Sequence, residues 1–130
     1  MSLDTRDKIL SLSHASEMAR ELHRKRTSVV AFVSHLDVLR AVHVRKLEAV
    51  CKASDHVFVI LTDSPSPLVP LDARAEVAAG LRCVSYVVPA PNGAAEVLAA
   101  LSPTTCIYDE EEDRERTREL IAHVRSRAGK

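Results

Sequence analysis

The stretch SVVAFVSHLDVLRAVHVRKLEAVCK, residues 28–52, decides how the rest of the chain is read. Ser28 to Ser34 is a short, β-branched apolar run with serines only at its ends. A strand with one wet face alternates apolar and polar residues; a strand covered on both faces does not. The run therefore reads as a buried strand. From Ala41 to Lys52 the period changes. Val44, Leu47 and Cys51 recur at helical spacing, so this segment reads as a helix with one apolar face.

The same alternation continues outward in both directions. Upstream, Ser13 to Arg26 reads as a helix with Ala15, Met18, Ala19 and Leu22 on one face. Downstream, His56 to Thr62 (HVFVILT) is a second buried strand. Asp63 to Pro70 holds three prolines, which exclude regular hydrogen-bonded structure, so it is a loop. Leu71 to Leu81 reads as a helix with Gly80 near its end, Val84 to Val88 as a third strand, Ala94 to Leu101 as a helix and Thr104 to Tyr108 as a fourth strand. Glu112 to Arg127 closes the pattern as a helix, and Ala128 to Lys130 should fray. Buried strands alternating with amphipathic helices predict an α/β chain, a three-layer α/β/α fold with a central parallel sheet. No internal repeat or second domain is legible, so residues 1–130 are expected to form one domain. Ligands of such sheets bind beyond the carboxyl ends of the strands. Function is therefore expected in Ser34–Val44, Asp63–Ala73, Pro89–Asn92 and Tyr108–Arg118.

Composition narrows the classes. The hydrophobic fraction of 46% is enough for a packed core. Eighteen basic residues balance eighteen acidic ones, without the basic excess of a nucleic-acid binder. No apolar run is long enough to span a membrane, and Met1 to Asp7 lacks the apolar core of a secretory signal. The expectation is a cytoplasmic protein with neither nucleic acid nor membrane as partner. Cys51, Cys83 and Cys106 are odd in number and widely spaced, which fits neither a disulfide framework nor a zinc site; they read as buried small hydrophobes. The only glycines are Gly80, Gly93 and Gly129. None comes directly after the first strand, which excludes a dinucleotide fingerprint and a P-loop. No serine sits between glycines as a nucleophile elbow requires.

The first strand runs instead into SHLDVLRAVHVRKLEAV, Ser34 to Val50. This segment resembles the signature of the cytidylyltransferase-like nucleotidyltransferases, Gly-x-Phe-Asp-x-Leu-His-x-Gly-His followed by a helix. Ser34 stands at the Gly position and Leu36 at the Phe position; Asp37 and Leu39 match. Arg40 stands at the first His, Val42 at the Gly and His43 at the second His, and Leu47 matches the helix position beyond. KILSLSHASEMARELHRKRTSVVAFVS is similar to the lead-in helix and first strand of the adenylyltransferase domain of ADP-heptose synthases. LDARAEVAAGLRCVSYVVP is similar to that family's arginine-bearing helix and short strand, and glycerol-3-phosphate cytidylyltransferase is a further similar relative. The resemblance runs from about Lys8 to Tyr108. It implies a Rossmann-like fold and a reaction in which a small phosphorylated substrate attacks the α-phosphate of a nucleoside triphosphate, CTP or ATP, and releases pyrophosphate. It also implies Mg2+ held mainly by the nucleotide phosphates, no metal site of the protein's own, and a homodimer.

Such catalysis is mainly positioning and stabilisation of negative charge. By the resemblance, His43 and Arg40 are the candidate catalytic residues, and Ser34, Asp37, Arg40, His43 and Arg74 the candidate nucleotide- and phosphate-binding residues. The motif is half kept. Arg40 can hold a phosphate but cannot give up a proton near neutral pH as an imidazole can. Val42 puts a branched side chain where the family keeps open space, and Ser34 is a smaller obstruction. The family's Ser/Thr-rich segment before the last helix is replaced by DEEED, Asp109 to Asp113. Those carboxylates would repel a triphosphate and are read as facing the N-terminus of the closing helix. Arg114, Arg116 and Arg118 read as that helix's solvated face, with Leu120, Ile121 and Val124 as its apolar face. Asp37 reads as a helix cap, and His35, Asp37 and His43 as loop packing rather than a metal site. His14, His23, His56 and His123 have no motif around them. The expectation is a nucleotidyltransferase-like domain with a degenerate site that retains at most nucleotide or phosphate binding. The alternatives are an active enzyme with a rebuilt site, joining CTP or ATP to a small sugar or polyol phosphate, and a non-catalytic dimerising interaction module.

Overall fold

The computed structural model describes residues 4–128. Four parallel strands, β1 (Val29–Ser34), β2 (His56–Leu61), β3 (Tyr86–Pro89) and β4 (Thr105–Tyr108), form one sheet in the order β3-β2-β1-β4. The helices are α1 (Leu12–Arg24), α2 (Ala41–Lys52), α3 (Leu71–Ala79), α4 (Ala95–Leu101) and α5 (Glu110–Ala128). A 3-10 helix at Thr5–Lys8 precedes them, and Ile9 beyond it bridges to Val87 in parallel. The predicted three-layer, Rossmann-like arrangement with a parallel sheet is what the chain adopts.

Every residue of β1 is buried, as its unbroken apolar run requires. Because side chains alternate across a strand, the run feeds two cores. Ala31 and Val33 pack with Phe58, Ile60, Ala15, Leu22, Val97 and Leu101 under α1 and α4. Val30 and Phe32 pack with Val57, Val59, Leu61, Leu47, Ala75 and Ala78 under α2 and α3. Burying a side chain such as Phe32 or Leu47 contributes about 1.5–3 kcal/mol, and this places most of the fold's stability on the central strands. The cysteines lie at the margins of these cores and are half-buried rather than fully buried. Burial and its contact with Cys83 push the Cys51 thiol up to about 12, so it is an inert hydrophobe at neutral pH.

Element ends shift where local hydrogen bonds decide them. α2 runs over Ala41–Lys52 as expected. β3 starts at Tyr86 rather than Val84, because the Val84 N–H is taken by the Leu81 carbonyl in the preceding turn. α5 begins at Glu110, two residues early, and places four carboxylates in its first turn where the helix dipole favours them. Its expected faces are corrected in part. Leu120 and Ile121 are half-buried, but Val124 is 56% exposed. Arg116 is not a solvated residue: its side chain is 18% exposed and turned inward. Of the residues expected to fray, Ala128 ends α5, and Gly129 and Lys130 lie outside the described residues, as do Met1, Ser2 and Leu3. No helix among the described residues is long and apolar enough to cross a membrane.

Candidate functional site

In this strand order the chain leaves β1 in one direction toward β2 and returns on the other side as β4. The crevice lies at that reversal, above the carboxyl ends of β1 and β4. Ser34 ends β1, and Asp109 comes just after β4 at the same level. Asp109 is anchored by its N–H to the Val33 carbonyl at 2.7 Å. Ser34 Oγ donates to Asp109 Oδ2 at 3.0 Å and accepts from the Leu36 N–H. Both residues are fully buried.

Around this point a closed polar cluster forms. His43 Nε2 lies 2.6 Å from Asp113 Oδ1, with both side chains at most 2% exposed. His43 Nδ1 accepts the Arg40 N–H at 2.9 Å and so carries no proton. With Nδ1 accepting, Nε2 is the nitrogen that donates to Asp113, and the Arg116 Nε also lies against it at 3.2 Å. Asp113 Oδ2 accepts the Asp37 N–H. Lys46 binds Asp109 Oδ1 at 2.6 Å and Glu112 at 2.7 Å, and Arg116 binds Asp109 Oδ2 at 2.8 Å. Burial alone would raise the Asp109 carboxyl; the bonds from Lys46, Arg116 and Ser34 outweigh it and hold it below the ordinary carboxylate value. Burial likewise works against the Lys46 ammonium, and its bonds to Asp109 and Glu112 prevail and raise it.

His43, Asp109 and Asp113 bring three potential metal-ligating atoms within 4.8 Å of one another. They do not suit a divalent ion as arranged. Both oxygens of each carboxylate already accept from protein donors, and Lys46 and Arg116 supply two positive charges. An ion would have to displace one of them.

The candidate residues from the sequence separate into three groups. Ser34 and His43 meet in the cluster. Arg40 stands at the start of α2 on the surface, its backbone serving His43 and its guanidinium in solvent. Arg74 is 2% exposed, and its guanidinium is spent on protein: it donates to the carbonyls of Val69, His35 and Thr62 and pairs with Asp63. Asp37 does not cap α2. Its carboxylate accepts the N–H groups of Leu68 and Val69, both at 2.9 Å, and pins the β2–α3 loop. Glu110 reaches across to the Thr62 hydroxyl. Asp109, Asp113, Lys46 and Arg116 are members of the site that sequence reasoning misses. A signal for three of them is present: Asp109, Asp113, Arg116 and Leu120 recur at i, i+4, i+7 and i+11, one face of a helix.

No protein-family model matches the chain, and no curated protein sequence does. The fold is similar to that of the lipopolysaccharide core biosynthesis protein from Thermoplasma volcanium GSS1, with a TM-score of 0.59 over 75% of this chain and 88% of that one. At 17% identity the likeness establishes a common α/β fold.

Proposed function

We propose that this chain is a nucleotidyltransferase-type domain whose phosphate seat is filled by its own carboxylates, so that it no longer transfers a nucleotide. The supporting observation is the commitment of His43. Its two ring nitrogens, which the motif would turn toward a triphosphate, are bonded to the Arg40 N–H and to Asp113. A triphosphate brought to this histidine must break the Asp113 bond and lie against Asp109 and Asp113. Two like charges 4 Å apart near a protein surface repel by about 4 kcal/mol. Lys46 and Arg116, the cations that could compensate, are already paired with Asp109. The internal carboxylates thus take the part an anionic substrate would play. The fold shared with a lipopolysaccharide core biosynthesis protein is in keeping with descent from a biosynthetic enzyme.

Calorimetric titration of CTP and ATP with Mg2+ into the purified chain tests the reading. The expected result is no binding at millimolar nucleotide and no pyrophosphate release with sugar phosphates. Binding tenfold tighter than that, with pyrophosphate release, would sink the proposal. The double change Arg40→His with Val42→Gly, which restores the motif on α2, is expected to gain no nucleotide affinity. The obstruction lies in Asp109 and Asp113, and Val42 is already 38% exposed.

A further inference from the structure

The β2–α3 loop is tied down at both ends and left free in the middle. Asp63 pairs with the buried Arg74, and the Asp37 carboxylate holds the N–H groups of Leu68 and Val69. Between these anchors lie Ser64, Pro65, Ser66 and Pro67. Among the described residues no main-chain hydrogen bond engages any of the four, and neither serine hydroxyl has a protein partner. Pro65, Ser66 and Pro67 are exposed, and Ser64 is half-buried. Opening a stretch that makes no hydrogen bonds costs little, so an enzyme can take it in extended form without disturbing the sheet below. The proline after each serine biases that serine away from a helical turn and toward extended backbone. The unpartnered Ser66 hydroxyl is free to rotate among its three staggered positions, so a group added to it is not tied to one direction.

α5 stands across from this loop. Ser64, Pro65 and Ser66 line one side of a cavity of about 290 Å³, and Arg114, Thr117 and Arg118 line another. Arg114 has no ion-pair partner among the described residues, and Arg118 meets only the exposed Glu115 at 3.4 Å. The neighbouring arginines are committed, Arg74 to Asp63 and Arg116 to Asp109. Arg114 and Arg118 are one helical turn apart, on a wall opposite a loop whose only acid is already paired. A phosphoserine carries close to two negative charges at neutral pH, and a guanidinium binds phosphate through two parallel N–H groups. Asp37 and Asp113 also line the cavity and would repel a phosphate, which keeps it beside the arginines.

We propose that Ser66 is a phosphorylation site and that Arg114 and Arg118 receive its phosphate, so that the modification latches the β2–α3 loop onto α5. In the transfer, Ser66 Oγ attacks the γ-phosphorus of ATP in the site of a serine kinase. The bond from that phosphorus to the β–γ bridging oxygen breaks, ADP leaves, and the hydroxyl proton passes to the kinase's base. Pro67 offers no N–H, so the kinase is one whose groove accepts proline after the target serine. The proposal does not rest on the nucleotidyltransferase reading. None of His43, Lys46 or Arg116 takes part, and the phosphate is a covalent part of the chain's own loop.

The test has two arms, both on the full chain. In the first, the chain is incubated with a proline-directed serine/threonine kinase, ATP and Mg2+, and mapped by mass spectrometry. One phosphate on Ser66, lost in Ser66→Ala, is the expected result. No phosphate, or phosphate on Ser64 alone, overturns the proposal. In the second arm the phosphorylated chain is titrated by 31P NMR. A phosphoserine free of neighbours takes up its second proton near pH 6. Two arginines favour the dianion, so affinity for that proton should fall about threefold. The thermal midpoint should rise by about 4 °C. Both effects should vanish in the Arg114→Ala, Arg118→Ala pair, which changes two exposed helix residues and leaves the labelled serine in place. An ordinary titration in the unaltered chain overturns the proposal, and so does a lowered one that survives in the double variant.

Discussion

His35 and His43 are both buried, eight residues apart, and rise from the same end of the sheet. His43 has both ring nitrogens bonded within the protein; His35 has one. The difference separates an internal strut from a group with capacity left over. Burial alone does not distinguish them, because a fully satisfied imidazole and a partly satisfied one can be equally covered. Accounting for each ring atom does.

The two histidines also rest on different frames, and breaking each frame should have a different cost. The largest effect is expected on the His35 side, from Arg74→Met. The guanidinium of Arg74 donates to the backbone carbonyls of His35, Thr62 and Val69 and pairs with Asp63. Methionine fills much of the volume and supplies none of the donors. Loss of about 3–5 kcal/mol in urea unfolding is expected, in line with breaking a buried charged network. A loss below about 1 kcal/mol would mean that the loop holds without its arginine. Arg74→Lys should rescue little, because one ammonium cannot reach the positions that the planar fork serves.

On the His43 side, Asp113→Ala should cost about 2–3 kcal/mol. It leaves two buried donors, His43 Nε2–H and the Asp37 N–H, without an acceptor. Asp113→Asn keeps one acceptor oxygen and should cost less. Equal costs for the two would show that the charge of Asp113, rather than its hydrogen bonding, stabilises the cluster. If Asp113→Ala also gained nucleotide binding, the carboxylate would be the plug that the proposed function requires.

The contrast explains how much is legible in the sequence. The strands are legible because burial on both faces demands unbroken apolar runs, as in VVAFV and HVFVIL. α2 is legible at both ends because its period changes sharply on either side. The site is less so. His43 and Ser34 emerge from the local motif, but their partners Asp109, Asp113 and Arg116 lie more than sixty residues away. The acidic run DEEED looks uniform as a composition. In three dimensions its members diverge: Asp109 and Asp113 are fully buried, while Glu111 and Glu112 are exposed. Only helical phase tells these apart, and a phase error of one residue moves a charge from solvent to core. The resemblance puts Arg74 near the phosphates; its burial among carbonyls depends on the path of the β2–α3 loop, which three prolines make irregular. The unbonded Nε2 of His35 is beyond any sequence reading, since it depends on which atom faces Thr62.

The smallest expected effect concerns pH and isolates Asp109 from its neighbour. The Asp109 carboxyl is held below its ordinary value of 3.8 in the folded chain. A depressed carboxyl stabilises the fold above its unfolded value and loses that contribution as pH falls through the folded one. Urea unfolding of the unaltered chain and of Asp109→Asn should therefore differ by a constant amount above about pH 5, of order 1 kcal/mol. The difference should shrink as pH drops below 3.8. Other carboxylates titrate in the same range, and comparison with Asp109→Asn cancels them to first order. The Lys46 ammonium is raised above 10.5 by the same contact, so its contribution is full below that value and is lost only as pH rises through the folded one. The pair should thus behave as a plateau falling off at both ends. A difference that persists to about pH 2 would mean that Asp109 holds the end of β4 by its shape and backbone anchor, and that its charge matters little.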